Sequence, residues 1–307
     1  MLKIKLNQEL FNKHVEEIDK SIRKSIYSKL KIKLTDNEKE CLEYIQKNLI
    51  DILKADSKKM QDYISYFKKN HPDVIGKQNT KEENWKRIYK IVRKDIFERE
   101  YTNWSDRTKY GAYIFVKTLD LKTCPYCNRN YTFAVDKKSG KLRPEIDHFY
   151  PKSIYPFLAM SFYNLIPSCS ICNHTKKDKV KLGLLNPYEL KKNDFKFTYI
   201  PEDISFFNVE NEKYNFDSFE IGIYGNKANL EVFKLEELYK QHKDVVLELL
   251  IKKAYYPKSY IDELKSFGFS EDEVYRYLVC NYKNDDDLHK RPLSKLIKDI
   301  SEELNLI

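Results

Sequence analysis

No apolar run in this chain approaches the ~20 residues that a membrane-spanning helix needs, so a transmembrane helix is excluded. The start, Met1-Leu2-Lys3-Ile4-Lys5-Leu6-Asn7, lacks the hydrophobic core of a secretory signal. A cytoplasmic protein without membrane contact is therefore expected. Glycine is scarce, at 7 of 307 residues, and cysteine is limited to 6. In a reducing compartment, paired cysteines favour a metal over a disulfide. The first third of the chain carries no chemical motif; its His14 and His71 stand alone and read as surface or core residues. An abundance of Lys, Asn, Ile and Tyr is what a nucleotide-biased genome produces and carries no function by itself.

What the chain does have is charge, and it is placed unevenly. The net charge is +9, and the stretch 122–192 holds thirteen Lys/Arg against five Asp/Glu, or eight of those nine charges. So basic a region is the electrostatic footprint of a nucleic-acid binder, because phosphate neutralisation supplies most non-specific affinity. The same region contains two C-x-x-C pairs, Cys124/Cys127 and Cys169/Cys172. Two such pairs complete a tetrahedral zinc site. A simple ribbon separates its pairs by roughly 15–20 residues, and here the separation is about twice that. The loop that zinc closes must hold structure of its own. Within it, 130–135 and 142–149 read as the strands of a β-hairpin around Asp136-Lys137-Lys138-Ser139-Gly140, and 173–180 reads as a helix.

Asp147-His148, Asn164-Leu165-Ile166-Pro167 and Cys172-Asn173-x-x-Lys176 follow in order inside this zinc frame. With them the chain resembles the HNH endonucleases of the ββα-metal fold. The phrases DHFYPKS and NLIPSCSICN also resemble the HNH subunits of Septu-type anti-phage systems, which work beside an ATPase. The resemblance covers about the middle fifth of the chain. It implies DNA phosphodiester hydrolysis with His148 as general base and Asn164 orienting the histidine loop. It also implies a catalytic Mg²⁺ or Mn²⁺ on Asp147 and Asn173, a structural Zn²⁺ on the four cysteines, and an ATPase partner.

The residues agree with those roles. Imidazole titrates near neutral pH, Asp147 projects to the other side of the strand, and a carboxylate with an amide oxygen makes a hard donor set for Mg²⁺. Lys176 on the helix, Lys177 and Lys152 are the expected phosphate contacts. His174 competes with Asn173 for the metal; Glu145 shares a strand face with Asp147 and is not assigned as a ligand. The alternatives are a zinc-stabilised nucleic-acid-binding or adaptor protein without catalysis, or an HNH nuclease acting on RNA.

Around this module, helices are expected at 8–34, 36–53, 57–69, from Asn79 through Trp85 to Ile96, and at 105–119, with Thr35 or Asp36 as an N-cap. Beyond it, short extended runs at 195–200, 204–209 and 218–224 predict a small antiparallel sheet. Helices follow at 229–254, 258–266, 270–280 and 292–304. Asp285-Asp286-Asp287 reads as a hydrophilic turn, and Cys41 and Cys280 as buried thiols. The fold class expected is α+β, mostly helical: an N-terminal helical region (1–119), a ββα-metal nuclease module (120–186) and a C-terminal region (187–307).

Overall fold

The computed structural model describes residues 1–76, 86–137, 140–203 and 218–306. The chain is α+β and mostly helical, as expected. The described residues pack as two compact units: Lys5–Asp120 with Phe133–Val180, and Met1–Ile4 with Leu121–Thr132 and Lys181–Ile307. That grouping follows packing, whereas the sequence division follows motifs.

The first unit opens with three helices set by apolar stripes and caps. In α1 (Gln8–Leu30), Ile18, Ile22 and Ile26 recur every four residues and are fully buried. Each such side chain stabilises the fold by about 1.5–3 kcal/mol. Helix α2 (Asp36–Lys54) begins at a capping box in which Thr35 and Glu38 satisfy each other's backbone N–H groups. Helix α3 (Ser57–Asn70) is capped by the Asp56 carboxylate, which accepts from Lys59 N at 2.9 Å. The start of the next expected helix, Asn79 to Trp85, lies outside the described residues. Its remainder is one helical run, α4 (Arg87–Lys90), a π-helical Ile91–Glu98, and α5 (Arg99–Asp106). Bonds from i to i+5 widen the turn, so residues five apart share a face. The buried pairs here, Ile91/Ile96 and Val92/Phe97, have that spacing.

The single helix expected over 105–119 is broken, and α6 covers only Ala112–Leu119. Gly111 explains the break: a Cβ there would sit 2.4 Å from the Arg107 carbonyl oxygen and 2.6 Å from that of Trp104. The chain can turn so tightly only where no side chain exists.

The expected hairpin also divides. Strand β1 (Val135–Lys137) pairs with β2 (Gly140–Leu142), while β3 (Glu145–His148) pairs antiparallel with β4 (Leu165–Ser168), His148 opposite Leu165 and Asp147 opposite Ile166. Arg143-Pro144 separates β2 from β3, because proline has no N–H to continue a ladder. Helix α7 (Ser170–Lys176) starts inside the second cysteine pair, three residues before the expected Asn173, and stops at Lys177, whose φ is +47°. The ββα unit is thus β3, β4 and α7.

In the second unit, β5 (Phe195–Pro201) pairs antiparallel with β6 (Phe219–Gly225). The expected strand 204–209 lies outside the described residues. The long helix expected at 229–254 is cut into α8 (Lys227–Phe233), α9 (Leu235–Tyr239) and α10 (Lys243–Tyr255), with Lys234 in the left-handed region at the first cut. Helices α11 (Lys258–Ser266) and α12 (Glu271–Val279) flank Gly268, whose φ of +90° makes the turn, and α13 (Ser294–Glu303) completes the unit. Asn128, left-handed and fully buried, organises it. Its Oδ1 accepts from Ser294 Oγ and Lys295 N at 3.0 Å each, capping α13 from a distant part of the chain. Its Nδ2 donates to Thr123 Oγ1 at 3.0 Å and to the Leu288 and Arg291 carbonyls at 3.3 Å.

His14 is a core residue of the first unit, between the Tyr110 hydroxyl (2.9 Å) and the Met160 carbonyl (2.8 Å). Burial pushes its pKa from the ordinary 6.5 down to about 4. The unfolded chain therefore binds the proton first, and stability is whole above the unfolded value and lost as pH falls from there toward 4. From this one group the loss between pH 7 and pH 5 is about 2 kcal/mol. Urea titrations at the two pH values should show that loss in the wild type and a correspondingly smaller one in His14→Gln. Equal losses would remove His14 as the source.

Candidate active site and metal cluster

The four paired cysteines, Cys124, Cys127, Cys169 and Cys172, are buried, and their sulfur atoms lie within 4.8 Å of one another. Among the described residues they form the only metal-competent group of His, Cys, Asp or Glu. Four thiolates at this spacing fit tetrahedral Zn²⁺, and a site closed by four sulfurs is structural. Local backbone shapes the first knuckle: Asn128 N donates to the Cys124 carbonyl at 2.7 Å, and Arg129 N reaches Cys127 Sγ at 3.4 Å. The other two cysteines differ from each other. Cys41 is buried, and desolvation pushes its thiol up to about 12, which makes it inert. Cys280 is exposed, contrary to expectation, because it is the left-handed residue that ends α12.

The second feature is a cleft of about 580 Å³ in the first unit. Asp147, His148, Lys152, Asn173 and Lys177, all singled out in the sequence, line it together with Glu145 and His174. His148 ends β3 and is nearly buried, with Nε2 3.0 Å from the Ala159 carbonyl oxygen. A carbonyl can only accept, so Nε2 carries the hydrogen and Nδ1 keeps its lone pair. Burial holds the imidazole pKa well below its ordinary value, and the charges of Lys152 and Lys176 add to the effect. Both effects favour the neutral ring.

Asn164 fixes the loop that follows. Its Oδ1 accepts from Tyr150 N at 2.6 Å, and its Nδ2 donates to the Tyr150 and Leu158 carbonyls at 3.0 and 2.8 Å. Ala159, the partner of His148, directly follows Leu158, so the amide sets where the imidazole's anchor lies.

Lys176 corrects the sequence expectation. Its side chain is fully buried, and its ammonium lies 3.1 and 3.0 Å from the two carboxylate oxygens of Asp147 and donates to the His148 carbonyl at 2.7 Å. It ties α7 to β3 and is not placed to meet a phosphate. Lys177 is exposed at the cleft instead, held at φ +47° and ψ −127°, a conformation costly for a side-chain-bearing residue.

The oxygens of Asp147 and Asn173 are hard donors that fit Mg²⁺ or Mn²⁺. Asn173 Nδ2 donates to Glu145 Oε2 at 2.6 Å, so Oδ1 is the atom of that amide that could meet a metal. Glu145 thus supports Asn173, and His174 Nε2 stands 3.6 Å from its other oxygen. Asp285 is spoken for by Lys192 at 2.9 Å and by Lys298, in keeping with a surface turn. Sequence reasoning missed Arg93, Tyr101 and Arg143, which also line the cleft. The first two lie in helical sequence with no motif around them, and only folding brings them there.

No family model matches the sequence, and no solved structure matches the fold. A curated protein matches part of it. Over 79 residues the chain is 35% identical to the Septu protein PtuB of Bacillus thuringiensis. That stretch is 24% of this chain and 28% of PtuB, so the likeness is to a segment of each. No helix among the described residues is long and apolar enough to cross a membrane.

Two outcomes follow. Protein purified without chelator should carry about one zinc ion per chain, and a zinc chelator or Cys172→Ser should lower its melting temperature sharply; an unchanged melt would disprove a structural metal. Lys176→Met removes the ammonium that the buried Asp147 carboxylate faces, so urea unfolding should show a loss of roughly 3–5 kcal/mol, partly restored by adding Asp147→Leu. A Lys176→Met protein of wild-type stability would contradict the buried pair.

Proposed function

We propose that this chain is a metal-dependent endonuclease of the HNH type that cuts DNA, and an effector of bacterial anti-phage defence acting with an ATPase partner. One observation carries the chemistry: a histidine whose Nε2 is engaged by the Ala159 carbonyl, which leaves Nδ1 as the basic nitrogen, lines the cleft with Asp147 and Asn173. Support for the defence role comes from the sequence resemblance and from the segment similar to Septu protein PtuB.

His148 Nδ1 takes the proton of the attacking water, and the Ala159 carbonyl stabilises the imidazolium that results through the opposite ring hydrogen. Asp147 and Asn173 hold the divalent ion, which when bound supplies charge stabilisation at the phosphate and leaving oxygen. Lys176 keeps Asp147 in place from the rear, and Lys177 offers its cation to the strand. The zinc of the four cysteines does no chemistry; it braces the segment from which the site is built.

A second reading, a zinc-stabilised nucleic-acid-binding or adaptor protein, gains from one observation: both carboxylate oxygens of Asp147 are engaged by Lys176. Supercoiled plasmid separates the two. Nicking with Mg²⁺ or Mn²⁺ is expected, falling by about 10²–10⁴-fold in His148→Ala and vanishing without a divalent ion. Binding without nicking by folded, zinc-loaded protein, alone and with its genomic neighbour, would favour the adaptor; nicking that survives His148→Ala would reject the assigned base.

A further inference from the structure

One wall of the cleft comes from outside the ββα unit. Arg93, in the π-helical turn, and Tyr101, in α5, line the cleft beside Lys152. The Lys152 ammonium lies 3.9 Å from the centroid of the Tyr101 ring, and that ring is 4.8 Å from the His148 imidazole. Tyr101 therefore packs against both the cation and the base.

Lys152 has no carboxylate within ion-pair distance among the described residues, and Arg93 shares its carboxylate with another cation. Lys152 is half-buried; desolvation lowers its pKa, the more distant Glu98 carboxylate opposes that shift, and the nearby charges of Arg93 and Lys94 add to it. Arg93 donates through one Nη to the Tyr89 hydroxyl at 2.6 Å, and Tyr89 in turn donates to the Ser153 carbonyl at 2.8 Å. Its Nε is buried without a hydrogen bond and forms a long ion pair, 3.6 Å, with Glu98 Oε2, an oxygen it shares with Lys94 at 2.7 Å. A half-desolvated ammonium without an ion pair, beside a guanidinium that shares its one carboxylate with Lys94, is stabilised by an anion that meets both. The cleft they face is the one that holds the candidate base, and a guanidinium beside an ammonium matches the oxygens of a phosphate.

We propose that Arg93 and Lys152, with Tyr101 as the platform that aligns Lys152 beside His148, form a phosphate subsite that grips the DNA strand at a phosphate flanking the one attacked. The helical run Arg87–Asp106 then supplies substrate contacts rather than only support. The choice of which phosphate rests on the endonuclease reading; the grip on DNA does not.

The test is binding of a short fluorescein-labelled DNA duplex, followed by anisotropy over a range of salt, by zinc-loaded full-length protein without added divalent ion. Lys152→Ala is expected to weaken binding about fivefold and to flatten the dependence of log K on log salt by about 0.9. Lys152→Arg should keep both, and Tyr101→Leu should weaken binding without changing the slope, since no cation is lost. Melting temperatures of each variant exclude misfolding. Wild-type affinity and slope in Lys152→Ala overturn the subsite, as does weaker binding with an unchanged slope or no duplex binding by the wild type. Plasmid nicking run in parallel keeps the two claims apart. Nicking by the wild type with no effect of Lys152→Ala on slope removes the subsite and spares the endonuclease; a flattened slope without any nicking does the reverse.

Discussion

The candidate site hangs on a buried ammonium. Lys176 sits inside the first unit with no exposed surface and satisfies its three hydrogens on Asp147 and the His148 carbonyl. Taking a charge out of water costs several kcal/mol, and only a well-formed pair offsets it. The ammonium is satisfied in one arrangement of β3 and α7, so the strand bearing Asp147 and His148 cannot slide against the helix bearing Asn173 without stranding a charge. Precision at the cleft is thus enforced by electrostatics where the strands themselves are only four residues long.

Around that pair, tasks separate by chemistry. Soft thiolates gather at the four buried cysteines, a set that could close on zinc; hard oxygens of Asp147, Asn173 and Glu145 gather at the cleft. Cations stand on the walls of the same cleft, and burial with two neighbouring lysines holds the His148 imidazole pKa below its ordinary value. The Asn164 amide does for the loop what Lys176 does for the strand: every polar atom of its side chain is used.

Much of this was legible in the chain. Helices α1 to α3 followed from apolar spacing and polar caps, and the cysteine pairs from their repeat. The cleft residues Asp147, His148 and Asn173 were legible from motif order. What failed did so for physical reasons. The partner of β3 could not be read because Pro144 ends the local hairpin and a strand seventeen residues beyond His148 takes over. Lys176 was misread because burial of a lysine depends on a carboxylate meeting it in space, which sequence spacing does not reveal. Gly111 looked like part of a helix, and only the approach of Trp104 and Arg107 shows why it breaks one. Arg93 and Tyr101 gave no signal, since a wider helical turn and tertiary packing bring them to the cleft.

Asn128 has a consequence that reaches the far end of the chain. It directly follows Cys127, and its side chain caps α13 and satisfies the carbonyls before it. Removing α13 would leave a buried amide with its oxygen unmet, immediately beside Cys127 of the four-cysteine cluster. A C-terminal truncation is, in physical terms, a lesion of the first cysteine knuckle. Substitution of the cluster cysteines and loss of the last helix should therefore produce related defects, although nearly 170 residues of sequence separate Asn128 from Lys295.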